Sequence, residues 1–204
     1  EPSISADGRY VAFYSAATNL VPDDENNDTD IFVYDRTLDT VERVSLDSEG
    51  EEASDYMHSP TISGDGSVVL FITEALLTPE AIDQYEHVYL YDRDTDEIEM
   101  VDKNTDDEEG TGSAEDPSLS SDGRYVAFTS DADNLVVPDD NNVRDLFIFD
   151  RQAGELTRIA DEVEFANNAE ISDDGNFVFF GKTLDEGAGD VFGLYRYDRV
   201  EEES

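Results

Sequence analysis

The chain has 204 residues, with no cysteine, no tryptophan and only two methionines. Without cysteine it can form no disulfide, thiolate nucleophile or Cys-ligated metal site, and that absence fits either side of a membrane. Long hydrophobic runs are missing too. The longest clean one, Val68 to Ile72, is far too short to cross a bilayer, so no membrane insertion is expected. Positive charge is the scarcest commodity: 12 Lys and Arg stand against 53 Asp and Glu, a formal net charge of -41 at pH 7. No basic face exists to release counterions from nucleic acid, which excludes that partner class. Attachment to anionic membrane surfaces is excluded on the same ground.

This imbalance makes a compact body repel itself in dilute salt. At molar salt the screening length falls to about 3 Å and most of the repulsion disappears. We therefore expect a protein of a high-salt setting; an acidic, Ca²⁺-rich extracellular setting is the alternative. The apolar residues rule against disorder, because they gather in short runs rich in Val, Ile, Phe and Tyr.

Those runs belong to a sentence written four times. Pro2 to Phe13 (PSISADGRYVAF) returns as Pro60 to Phe71 (PTISGDGSVVLF), as Pro117 to Phe128 (PSLSSDGRYVAF) and as Ala169 to Phe180 (AEISDDGNFVFF). A period near 50 residues signals one structural unit, stacked. Each unit opens on a short segment ending in Ser-x-Asp-Gly, where Asp can accept from backbone amides and Gly can take positive φ, the chemistry of a hairpin turn. A strand follows (Tyr10 to Phe13 in the first unit), then a longer loop, then a third strand ending in Asp-Arg: Ile31 to Arg36, Val88 to Arg93, Leu146 to Arg151 and Leu194 to Arg199. A fourth strand is expected over 41–45, 97–101 and 155–160, but is reduced to Val200 and an acidic tail in the last unit. Four short antiparallel strands per repeat make a propeller blade, and no stretch has the 3.6 period of a helical solenoid. The expected fold is all-β: a propeller of four-stranded antiparallel blades, four in this chain. Blade 1 covers 1–45, blade 2 59–101, blade 3 116–160 and blade 4 168–204, its outer strand incomplete.

The wording, Ser-x-Asp-Gly-Arg-Tyr-Val-Ala-Phe, then Thr18 to Pro22 or Asp133 to Pro138, then Asp-Ile-Phe-Val-Tyr-Asp-Arg, resembles the TolB-like (WD-like) β-propeller repeat family over nearly the whole chain. The resemblance implies a propeller in a secreted, periplasmic or cell-surface protein, often one that binds other proteins. The chain departs from the pattern in blade number, since such propellers commonly have six or more. Three arrangements stay open: a segment of a longer propeller, a ring closed by four blades, or two copies forming a homodimer of eight.

In a blade, alternate loops emerge at opposite ends. The Ser-x-Asp-Gly turns lie at one end. The long connections (14–30, 45–59, 74–87, 102–116, 131–145, 160–168 and 181–193) lie at the other and hold more than half of the acidic residues. Long loops on a rigid scaffold are where binding concentrates, so this acidic end is the expected face for protein partners. Its sharpest motif is Asp-x-Asn-x-x-x-Asp, at Asp24, Asn26 and Asp30 and again at Asp139, Asn141 and Asp145. Carboxylates and amide carbonyls at this spacing can wrap Ca²⁺, which takes six to eight oxygen ligands; the same residues also cap turns by accepting from backbone amides. Ca²⁺ is the one cofactor considered. His58 and His87, both in blade 2, could share a metal or act as isolated surface groups. The recurring Arg36, Arg93, Arg151 and Arg199 read as structural ion pairs or carbonyl caps.

No Gly-x-Ser-x-Gly elbow, phosphate loop or His-Glu-x-x-His motif occurs, and no catalytic residue is assigned. The expected function is that of a non-enzymatic scaffold or recognition module in a high-salt, extracellular, cell-surface or periplasm-like setting. The alternatives are an accessory propeller domain of a hydrolase and a structural subunit of a surface layer, filament or virion.

Overall fold

The computed structural model describes residues 2–22, 24–82, 84–139, 141, 143–160, 169–185 and 190–202. Four antiparallel sheets follow one another along the chain, each a meander of sequence neighbours. Blade 1 is β1 (Ser3–Ile4), β2 (Tyr10–Ser15), β3 (Asp30–Asp35) and β4 (Thr40–Arg43). Blade 2 is β5 (Met57–Ile62), β6 (Val68–Thr73), β7 (His87–Asp92) and β8 (Glu97–Met100), and blade 3 is β9 (Ala114–Leu119), β10 (Tyr125–Ser130), β11 (Asp145–Asp150) and β12 (Glu155–Ala160). Blade 4 has three strands, β13 (Glu170–Ile171), β14 (Phe177–Asp185) and β15 (Asp190–Asp198), then one helical turn, α1 (Arg199–Glu202), where an outer strand would stand.

The Ser-x-Asp-Gly turn is built from its own side chains. Ser5 Oγ donates to Asp7 Oδ1 (2.8 Å) and accepts from the Tyr10 N–H (3.0 Å), while Asp7 Oδ1 also accepts from the Arg9 N–H (2.9 Å). Gly8 closes the turn at φ 70°, a conformation costly for any residue with a Cβ. The turns at Ser63, Ser120 and Ser172 repeat these bonds.

Neighbouring turns are joined in series. The Ala6 N–H donates to the Gly64 carbonyl (2.8 Å), the Gly64 N–H to that of Ser121 (2.7 Å) and the Ser121 N–H to that of Asp173 (3.0 Å). These are the variable residues of the four turns, so the least constant letter of the motif carries the link between blades.

Three apolar cores fill the spaces between sheets. Ala12, Ile31 and Val33 meet Val69, Phe71 and Tyr89 between blades 1 and 2. Leu70, Ile72 and Leu90 meet Val126, Phe128 and Phe147 between blades 2 and 3. Ala127, Leu146 and Ile148 meet Ile171, Val178 and Phe180 between blades 3 and 4. Strand β6 is buried at all six positions because it serves two of these cores. No core joins blade 4 to blade 1 among the described residues, and Ile4, Phe192 and Leu194 are exposed on the outer blades. The sheets form an arc.

The structure departs from the sequence expectations at four places. Strands β5 and β9 begin at Met57 and Ala114, two residues before the expected starts at 59 and 116, because a bulge carries each past its proline. Ser59 (φ 53°) and Asp116 (φ 52°) take the left-handed region just before Pro60 and Pro117, which have no N–H for the ladder. Strand β4 ends at Arg43, short of the expected 45, though the Val44 N–H still donates to the Ile31 carbonyl (2.9 Å). The expected long loop over 181–193 is largely strand, since β14 and β15 pair continuously from Phe177↔Asp198 to Asp185↔Asp190. The expected loop 160–168 lies almost wholly outside the described residues.

Candidate functional site

The end opposite the Ser-x-Asp-Gly turns gathers the chemistry. In blades 1 to 3 the first residue of the third strand is titratable and fully buried: Asp30, His87 and Asp145, each at 0% exposure. Each meets partners from the fourth strand or from the connection to the next blade. The three solutions differ.

In blade 3, Arg158 of β12 reaches across to the loop. Its Nη1 lies 2.9 Å from Asp145 Oδ2 and 3.1 Å from Asp139 Oδ2, and its Nη2 donates to the Pro138 carbonyl (2.6 Å). Asn141 Nδ2 donates to Asp145 Oδ1 (3.3 Å), and Asn141 Oδ1 accepts from the Val143 N–H (2.9 Å). Burial, followed by the nearby charge of Asp145, pushes the Asp139 carboxyl up from its ordinary value. The predicted trio Asp139, Asn141 and Asp145 is therefore brought together around a guanidinium.

In blade 2, His87 replaces the aspartate. Its Nδ1 lies 2.7 Å from Asp102 Oδ2, and its Nε2 lies 3.8 Å from Glu109 Oε2. Asp102 is fully buried and also accepts from the Val88 N–H (2.9 Å). Burial raises its pKa, opposed by the hydrogen bond from His87. His58 is occupied elsewhere, by Glu86 (2.9 Å) and Ser59 (2.9 Å), so the two histidines bind different carboxylates.

In blade 1 the structure brings Asp24 and Asp30 together, and Asn26 is engaged by other partners. Asn26 is a fastener: its Nδ2 donates to the Ala53 carbonyl (2.7 Å) and its Oδ1 accepts from the Asp28 N–H (2.8 Å). The third member is Glu52, from the connection to blade 2. One carboxylate oxygen each of Asp24, Asp30 and Glu52 lies within 4.8 Å of the others. Arg43 of β4 pairs with Glu52, and its Nη1 stands 3.7 Å from Asp30 Oδ2, while Ser45 Oγ donates to Asp30 Oδ1 (2.7 Å). Burial is the largest cause raising the Asp30 pKa. Ser45 and Arg43 oppose it, and the charges of Asp24 and Glu52 add to it.

Glu52 was not among the expected residues, nor were Arg43, Arg158, Asp102 and Glu109. Register could have found three of the partners. His87, Asp102 and Glu109 stand 57 residues after Asp30, Ser45 and Glu52. Glu52 and Glu109 even share a second task, accepting the N–H of Glu25 (3.2 Å) and of its counterpart Ile82 (2.7 Å).

On the surface of the same end, Tyr14, Tyr56 and His58 form an aromatic ladder. Tyr14 and Tyr56 meet edge-on at 6.5 Å, and Tyr56 stacks on His58 at 5.3 Å. Tyr56 is 54% exposed and borders a cavity of about 510 Å³ with Asp28, Thr29 and Asp55. A separate polar cleft of about 390 Å³ opens where the innermost strands β1, β5, β9 and β13 converge, lined by Ser3, Pro60, Pro117 and Glu170.

This architecture is that of known propellers. Over 97% of its length the chain superposes on TolB from Acinetobacter baumannii, with a TM-score of 0.59 and 18% identity. It is also similar to the β-propeller domain of the Trilobed protease from Pyrococcus furiosus, which has an open velcro topology (TM-score 0.57, 17% identity, 98% of this chain), and to an acylaminoacyl peptidase from Pyrococcus horikoshii (TM-score 0.54, 16% identity, 98% of this chain). The chain spans 40%, 55% and 30% of the lengths of these three proteins. No family model and no curated protein sequence matches it. The fold is thus a TolB-like β-propeller arc of four blades. No described helix is long and apolar enough to cross a membrane.

Proposed function

We propose that the chain is a non-enzymatic recognition scaffold that holds a cationic protein segment at its acidic long-loop end, in a high-salt, extracytoplasmic setting. The observation that carries this reading is the exposed Tyr14–Tyr56–His58 ladder beside the cavity bordered by Asp28 and Asp55. Ring faces attract guanidinium and ammonium groups, and carboxylates at the rim pair with them. A chain of net charge -41 steers such partners over long distances only in dilute salt. In strong salt the short-range stack must supply the selectivity.

The test is a calorimetric titration with an arginine-bearing peptide and its glutamine-substituted counterpart, in molar KCl. The arginine peptide should bind at least about tenfold more tightly, and Tyr56→Ala should abolish the difference, since a cation–π contact and its burial supply roughly 1–2 kcal/mol. Equal binding of the two peptides, or an unaffected Tyr56→Ala protein, would overturn the reading. The second reading, an accessory propeller of a hydrolase, is favoured by the likeness to the protease and peptidase propellers and by the polar cleft between the innermost strands.

A further inference from the structure

We propose that blade 1, and not blade 3, binds one divalent oxygen-seeking cation, held by Asp24 of the β2–β3 loop, Asp30 at the head of β3 and Glu52 of the connection to blade 2. Three versions of one position in the blade differ in how their carboxylates are matched. Blade 3 sets two carboxylates, Asp139 and Asp145, around Arg158, and both are in ion pairs with it. Blade 2 sets Asp102 and Glu109 on the two ring nitrogens of His87. Blade 1 sets three carboxylates near the single guanidinium of Arg43. Arg43 is committed to Glu52 and Asp30, and Asp24 enters no ion pair among the described residues. Three carboxylates thus face one guanidinium here, where blade 3 sets two against one.

The unmet demand shows at particular atoms. Asp24 is 91% buried and Asp30 completely so, yet Asp24 Oδ1 and Asp30 Oδ2 accept no hydrogen bond. No carboxylate oxygen of Asp139 or Asp145 is stranded in this way. A buried carboxylate oxygen without a hydrogen-bond donor is strongly disfavoured; Asp24 Oδ1 has none, and Asp30 Oδ2 has only the Nη1 of Arg43 at 3.7 Å, beyond hydrogen-bond reach. The spacing suits an ion. Oxygens bound to Ca²⁺ lie about 2.3–2.6 Å from it, so two ligands on opposite sides are about 5 Å apart, and the three carboxylates lie within 4.8 Å of one another. Water and backbone carbonyls would complete a shell of six or more oxygens. The ion would tie the β2–β3 loop to the connection between blades 1 and 2, beside the bonds that Glu52 and Asn26 already make across that gap.

Calorimetric titration of the whole chain with CaCl₂, at ionic strength held constant with KCl, tests the proposal. One saturable site per chain is expected, with a higher thermal midpoint in Ca²⁺ than after chelator. Asp24→Asn and Glu52→Gln should each weaken binding at least tenfold, while Asp139→Asn binds as the parent does. Circular dichroism of each variant at the titration temperature confirms that it is folded, and having variants at two ligand positions keeps the test decisive if one fails to fold. Absence of a saturable heat, two equivalent sites, or equal loss on Asp139→Asn would overturn the proposal.

Discussion

The guanidinium of Arg93 lies over the ring of Tyr10, which belongs to the preceding blade, at 4.4 Å from its centroid, and Arg9 also lies over that ring at 4.6 Å. The same pairing recurs between blades 3 and 4, where Arg124 (4.7 Å) and Arg199 (4.1 Å) lie over the ring of Tyr125. In both places the next turn's glycine, Gly66 or Gly175, comes against the ring with no space left for a Cβ. The Asp-Gly-Arg-Tyr motif thus reads as a joint: glycine to approach the previous ring, tyrosine to receive the next glycine, and two arginines over the ring.

Replacing Tyr10 with Leu keeps apolar bulk and removes the ring. Two half-buried cation–π contacts contribute about 0.5–1 kcal/mol each. Urea unfolding in molar salt should therefore show a loss of about 1–2 kcal/mol, with native circular dichroism retained before the transition. Gly66→Ala should cost more, about 2 kcal/mol or above, because it combines a clash with the ring and a side chain at φ 79°.

Blade 2 has no arginine after its turn: Ser67 stands where blades 1 and 3 carry Arg9 and Arg124. Those arginines grip the aspartate at the end of their own third strand, Arg9 on Asp35 (2.7 Å) and Arg124 on Asp150 (2.7 Å). In blade 2 the equivalent Asp92 is held instead by Arg151 of blade 3. Arg151→Ala should destabilise by about 1–3 kcal/mol, the range for a charged hydrogen bond. Adding Ser67→Arg should restore part of that loss. The urea midpoints of parent, single and double variants check it; no recovery would show that the two arginine positions are not equivalent.

These examples separate what was legible in the sequence from what was not. The turns were legible because Ser5, Asp7 and Gly8 act on atoms within five residues of themselves, so pattern and bond coincide. The strands were legible because burial between two sheets demands continuous apolar runs such as Val68 to Thr73. Glu52 was hidden by abundance, being one of 53 acidic residues, and its partner Asp30 lies 22 positions away on another element. Even repeat register reveals only the position, since Arg43 becomes Met100 in blade 2 and the imidazole of His87 stands where Asp30 stood. The extended β14–β15 hairpin was hidden because the other units have a long loop between their second and third strands, whereas in blade 4 the ladder runs on past Gly181.

Acid should uncover the Arg9–Asp35 pair. The hydrogen bonds from Arg9 hold the Asp35 carboxyl down at about 2, from an ordinary value of 3.8. A carboxylate with a depressed folded-state pKa contributes stability that is complete above the ordinary value and lost as pH falls through the folded value. Arg9→Ala should therefore be less stable than the parent at pH 6, and the gap should close between about pH 4 and pH 2. NMR titration of the Asp35 side chain should show its midpoint returning toward the ordinary value in the variant.

The high-salt setting proposed above predicts a fold that depends on salt, since 53 carboxylates stand against 12 basic side chains. The Debye length is about 10 Å at 0.1 M salt and about 3 Å at 1 M. Far-UV circular dichroism should show the native β signal in molar KCl and its progressive loss on dialysis to low salt. Retention of the full signal at low salt would remove the high-salt setting from the proposed function.

The buried pair in blade 2 offers the sharpest test of internal electrostatics. His87 and Asp102 are both fully buried and 2.7 Å apart, and removing the imidazole leaves the Asp102 carboxyl with backbone N–H groups such as that of Val88. Breaking one side of a buried pair typically costs about 3–5 kcal/mol, because the remaining group has lost its partner in the interior. Replacing both sides with apolar residues costs less. His87→Leu should therefore be more destabilising than His87→Leu combined with Asp102→Leu, even though the double variant removes more native bonds. Urea unfolding of the four proteins in a double-mutant cycle measures the coupling. If the double variant is the less stable one, the native hydrogen bond between the two side chains outweighs the cost of burying them.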